Sequence, residues 1–111
     1  MREVDHFING SFVPSASGAR IHRENPATGE LLLLVARGDG ADVAKAADAA
    51  TRAFESWGKM PASDRSRIML AIAAGIDARL DELAQLECED TGKPLALALE
   101  DEAAAKADSA A

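Results

Sequence analysis

The sequence is short of cysteine, aromatics, basic side chains and long apolar runs. Its single cysteine, Cys88, has no partner for an internal disulfide, and neither a CxxC pair nor a His/Cys cluster is present to hold a structural metal. That usage suits a reducing compartment, and the expectation is a cytoplasmic protein. Tyrosine is absent and only 4% of residues are aromatic. Although 48% of residues are hydrophobic, much of that fraction is alanine, which contributes little apolar area per residue. The core is therefore thin for a chain of 111 residues. No stretch reaches the roughly 18 apolar residues of a membrane span, and "MREVDHFING" carries charge where a signal peptide needs an apolar segment. Twelve basic against nineteen acidic residues leave a net charge of −7, which repels phosphate backbones and anionic head groups. Nucleic acid and membrane surfaces are excluded as partners on this ground.

What is present divides near residue 39. Before it the text reads as strands and turns. "FINGSFV" sets Asn9-Gly10 between two short alternating runs, the strongest local signal for a β-hairpin. "PSASG", residues 14–18, is a polar turn cluster, and Arg20–Glu24 is a short extended piece. In "NPATGE", Pro26 holds Asn25 out of the helical region and fixes the turn, while Gly29 relieves its exit. "LLLLVA", Leu31–Ala36, has the length and composition of a strand covered on both faces. Residues 31–35 contain neither charge nor proline, which predicts self-association through the β region if that cover is missing, with Leu33→Lys as the interrupting change.

After residue 39 the period becomes helical. Val43, Ala46, Ala47, Ala50, Ala53, Phe54 and Trp57 form one stripe of a helix running to about Ser56, with Gly58 at its end. A second helix opens at "MPASDR", with Pro61 and Asp64 in its first turn and Ile68, Ile72, Ile76 and Leu80 on one face. Asp81 is the expected N-cap of a third helix containing Leu83 and Leu86, which stops at Gly92-Lys93-Pro94. Beyond Leu99 no large apolar residue remains, so residues 95–111 are read as an alanine-rich helical or frayed tail, frayed from residue 100. The fold class is α+β: an N-terminal antiparallel β ribbon followed by three or four helices.

The chemistry-bearing motifs are sparse. "GDGADV", residues 38–43, joins a predicted strand to a predicted helix, the setting of a dinucleotide fingerprint, but Val43 replaces the third glycine and Asp39 would oppose a pyrophosphate. A glycine-flanked helix start explains it. Cys88 lies among Glu87, Glu89 and Asp90, which disfavour a thiolate, so it reads as a buried or half-buried helical cysteine. His6 and His22 join no nucleophile–base arrangement. The carboxylates of "ECEDTGKP" form either a solvated helix end or oxygen ligands for a hard cation.

"FINGSFV", "SASG", "NPATGE", "ADVAKAADAATRAFESWGKM", "PASDRSRIML" and "LDELAQLECEDTGKP" occur in the order and spacing of the N-terminal region of NAD(P)-dependent aldehyde dehydrogenases, which the chain resembles. The resemblance covers about residues 6–94, so residues 1–94 read as a partial N-terminal region of that α/β enzyme's cofactor-binding domain. "HFINGSFVPSASG", "WGKM" and "ECEDTGKP" most resemble the 2-hydroxymuconic semialdehyde dehydrogenase branch, which oxidises an aldehyde from cleavage of aromatic compounds. In such enzymes a cysteine thiolate attacks the aldehyde, hydride passes to NAD and water releases the acid. The resemblance places that cysteine, the general-base glutamate and the cofactor motif downstream of anything matching residue 94. It thus implies no catalytic and no cofactor-binding residue here, no activity in this piece alone, and NAD or NADP only in the parent. It also implies a monovalent cation, Na⁺ or K⁺, held by the backbone carbonyls of Arg23 and Glu24 and by Asp90, in a site incomplete without downstream ligands. The expected partners are the rest of such a chain or a second copy, with a homo-oligomeric parent. After Pro94 the text departs from the family and reads as a truncation, gene fragment or frame change. The competing expectation is a non-catalytic interaction protein that pairs through its β edge.

Overall fold

The computed structural model describes residues 2–110, with side chains to Ala104. It contains two compact units, Met1–Glu24 with Glu30–Lys59 and Asn25–Gly29 with Met60–Ala111. Each is described by itself.

Among the described residues, the first unit holds all the strands. β1 (Arg2–Val4), β5 (Leu31–Ala36) and β4 (Arg20–Glu24) form a three-stranded sheet in that order, while β2 (His6–Ile8) and β3 (Ser11–Val13) form the hairpin. Asn9 and Gly10 both take positive φ, 53° and 78°, as a tight turn matched to strand twist requires. Phe7 pairs with Phe12 across the hairpin, their rings edge to face at 5.1 Å. β1 was not visible in the charged letters "REV". It runs parallel to β5, with Arg2 opposite Leu33, whereas β4 runs antiparallel to β5. The Arg20 guanidinium secures this arrangement, lying 2.8 Å from Asp5 and 3.7 Å from Glu3 and donating to the Val4 carbonyl at 3.4 Å. The leucine run is therefore the middle strand of its sheet. Both of its edges carry a neighbour, so its own backbone ladder is occupied within the sheet, and the open edges are those of β1 and β4.

α1 (Gly40–Trp57) follows the sheet. Asp39 caps it by accepting from the Ala41 and Asp42 amides, and Asp42 returns the bond to the Asp39 amide, completing a capping box. Of the expected apolar stripe little is covered: Ala49 and Asp42 are the buried residues of this helix, and Trp57 is half-buried. Gly58 ends the helix in right-handed geometry, φ −64°.

The second unit is helical: α2 (Ala62–Ala78), α3 (Leu80–Thr91) and α4 (Leu95–Ala110), with α4 packed against both α2 and α3. Leu80 belongs to α3, not to the α2 face. Asp81 is not an N-cap but a first-turn residue, because Arg79 serves as the junction between the helices and makes no side-chain cap. The Arg79 guanidinium instead grips Glu82 with bonds of 2.9 and 3.2 Å. Among the described residues Ala73, Ala84 and Ala98, one from each helix, are the buried apolar residues of this unit, the last two fully. Docking of α4 thus rests on a small residue upstream of Leu99. Its helix runs on through the stretch expected to fray; residue 111 lies outside the described residues.

Candidate functional site

Of the residues singled out for cation binding, Arg23 and Glu24 immediately precede the Asn-Pro turn in the chain. β4 ends on Arg23 and Glu24, where the pairing with β5 shifts register. The chain then enters the second unit as the Asn-Pro turn. The Asn25 carbonyl accepts from the Gly29 amide at 2.7 Å and the Thr28 amide at 3.3 Å, and its side-chain oxygen accepts from the Ala27 amide at 2.9 Å. Pro26 lies over the C-terminal end of α3. A Cβ on Gly92 would meet the Pro26 ring at 3.0 Å, and Gly92 itself takes φ +75°, so both space and backbone reserve this position for glycine. Asp90 is half-buried two residues before Gly92. Arg23 and Glu24 belong to the first unit and Asp90 to the second, and each is described within its own unit.

That helix end already carries a cation of its own. Lys93 Nζ donates to Glu87 Oε1 at 2.7 Å and to Asp101 Oδ2 at 2.6 Å, clasping α3 to α4. The hydrogen bonds to Asp101 and then Glu87 raise the Lys93 ammonium well above its ordinary value, against the opposing effect of burial. Cys88 is half-buried, and its Sγ donates to the Lys93 carbonyl at 2.7 Å. Both histidines lie in the first unit, so no imidazole of its own unit serves the thiol as a base. Among the described residues no group of three or more His, Cys, Asp or Glu is placed to hold a metal ion; a site of backbone carbonyls with one carboxylate is of a different kind.

"GDGADV" is a capped helix start. The Asp39 carboxylate occupies the Ala41 and Asp42 amides, the very groups a phosphate would need. Sequence reasoning missed the role of Asp42. Its buried carboxylate accepts from the Asp39 amide at 3.0 Å and from the Ala16 amide at 2.9 Å, and it lies 3.9 Å from His6 Nε2. The Asp39 and then the Ala16 backbone bonds hold this carboxyl below its ordinary value of 3.8, outweighing burial. The one available signal was an acidic residue three positions after a capping aspartate; nothing in the letters announced the bond to Ala16.

The chain matches the aldehyde dehydrogenase family over residues 12–110. It is 48% identical over 99 residues to the 2-hydroxymuconic semialdehyde dehydrogenase of Pseudomonas sp. (strain CF600), covering 88% of this chain and 20% of that protein. The crystal structure of HpcC from Thermus thermophilus superposes with a TM-score of 0.95 at 42% identity, over 98% of this chain and 21% of that one. An aldehyde dehydrogenase from Bacillus cereus, solved as its NAD⁺ complex, superposes with a TM-score of 0.94 at 37% identity, over 98% and 23%. The chain belongs to the aldehyde dehydrogenase family. It spans about a fifth of the length of the relatives it matches.

Proposed function

We propose that this chain serves as the N-terminal part of an NAD(P)-dependent aldehyde dehydrogenase, a cytoplasmic homo-oligomer that oxidises a semialdehyde derived from aromatic ring cleavage. The carrying observation is the 48% identity over 99 residues to an enzyme named for that substrate. Within such an enzyme this region supplies scaffold. Its glycine-flanked helix start does not fit a dinucleotide, because its own carboxylate fills the amides, and its one thiol is bonded to a carbonyl. NAD(P) is therefore held elsewhere in the parent. The test has two arms. The 111-residue chain alone should show no NAD-dependent aldehyde oxidation and no NAD binding tighter than about 1 mM by calorimetry. The Pseudomonas enzyme carrying this chain in place of its matching region should oxidise 2-hydroxymuconic semialdehyde. An inactive, folded chimera would overturn the reading.

The cation reading keeps its place here and rests on the family resemblance of the residues before the Asn-Pro turn and before Thr91-Gly92-Lys93. The two carbonyls and Asp90 contribute to an incomplete Na⁺ or K⁺ site that the parent completes. Replacing Na⁺ and K⁺ by a bulky organic cation at constant ionic strength should lower the melting temperature of the chimera; an unchanged melting curve would reject the site.

A further inference from the structure

α1 presents a core-type surface to solvent. Val43, Ala46, Ala50, Ala53 and Phe54 recur at three- and four-residue spacing along one stripe, and all are exposed, Val43 and Phe54 by 67% each. The charged side chains Lys45, Asp48, Arg52 and Glu55 fall on the other side of the helix by its 100° per residue. Next to the stripe Phe7 of β2 is 65% exposed, and a groove of about 420 Å³ runs between the hairpin and the helix, lined by Phe7, Ile8 and the alanines. Isolated exposed apolar residues need no explanation, but a continuous uncharged stripe beside an apolar groove does. Alanines let a second helix approach to about 8 Å, and the larger residues at the two ends of the stripe fix where it sits.

The comparison with solved structures indicates the occupant. This chain superposes closely on a protein of whose chain it covers 21%, so nearly four fifths of that fold has no counterpart here to cover anything. A second copy is a poorer occupant, because each copy carries a net charge of −7. We infer that the groove between the hairpin and α1 seats an apolar helix face from the remaining four fifths of an aldehyde dehydrogenase chain. This rests on the reading of the chain as part of such an enzyme.

Thiol labelling of Ala50→Cys, read at that residue by mass spectrometry, tests it in the full 111-residue chain and in the Pseudomonas chimera. The new thiol should react at least tenfold more slowly in the chimera, while Asp48→Cys, on the opposite side of the helix, should change less than threefold. Equal rates for Ala50→Cys in the two settings would overturn the inference. So would labelling of the isolated chain that slows as its concentration rises, since the cover would then be a second copy. As a second readout, Ala50→Lys should leave the melting temperature of the isolated chain unchanged and lower the yield of folded chimera at least tenfold; an undiminished yield would also overturn it. Aldehyde oxidation by the unsubstituted chimera reports on the enzyme assignment separately. An active chimera with an unprotected Ala50→Cys rejects the groove alone.

Discussion

The two units are made of similar letters and held by different forces. Both bury alanine rather than large side chains, yet in the second unit Ala84 and Ala98 are fully covered, whereas Ala49 of the first retains 9% exposure and borders two open grooves. The helical unit is held by close approach of backbones around small residues, with the Lys93 clasp at its end. The β unit is held by strand ladders, Arg20 and the Asp42 hub; both units leave large apolar residues exposed, such as Phe54 in one and Leu70 in the other. On the helices, alanine is thus a closed contact at Ala84 and Ala98 and unfinished packing at Ala49, while Ala36 of β5 is buried in the first unit. The residue type alone does not distinguish these; its surroundings do.

Enlarging an alanine in each unit should separate them most clearly. Ala98→Leu should destabilise the helical unit by about 1–3 kcal/mol through overpacking, while Ala49→Leu, with open space beside it, should be neutral or stabilising. Chemical denaturation of both variants checks this, and equal costs would break the contrast. Gly92→Ala should come next. It forces a Cβ into left-handed backbone, at about 1–2 kcal/mol, and also presses on Pro26; Gly29→Ala has the same backbone strain with open space around it. The difference between the two variants measures the seating of the turn on α3.

A smaller effect is expected from acid. The folded carboxyl of Asp42 lies below its ordinary value of 3.8, so its contribution is fully present above that value and is lost as pH falls through the folded one. Amide exchange at Ala16 and Asp39 should accelerate in that window, and Asp42→Asn should flatten the dependence. Smallest of all is Val43→Lys in the isolated chain, expected within about 0.5 kcal/mol of wild type because the site is 67% exposed. A large loss there would show that the stripe is already covered.

Local chemistry was legible and long-range placement was not. The hairpin followed from Asn9-Gly10, the third helix end from Gly92 and the first helix start from Asp39, each a matter of backbone conformation set within a few residues. The charged strand β1 was missed because its place depends on β5, some thirty residues later, rather than on its own propensity. Leu80 and Asp81 were assigned one element wrongly because the α2–α3 junction is a single residue, Arg79, without a glycine or proline to mark it. The stripe on α1 was correctly periodic, yet period reports only that a face is apolar. Of the proposed cation residues, Asp90 stood out locally as one of the carboxylates of "ECEDTGKP", whereas Arg23 and Glu24 came only from resemblance, since a backbone carbonyl is independent of side-chain identity.

The parallel pairing of β1 with β5 also sets an order of assembly. Closing a loop of roughly thirty residues costs about 0.6 kcal/mol more for each doubling of its length, so this contact forms at the greatest entropic disadvantage in the sheet. The Asn9-Gly10 hairpin can close in about 1–10 μs and single helical segments faster still. β1 therefore waits, during synthesis and during refolding alike, until the last residues of β5 exist to receive it. Pulse-labelled exchange should find the amides of Arg2–Val4 protected later than those of His6–Ile8, although β1 precedes the hairpin in the chain.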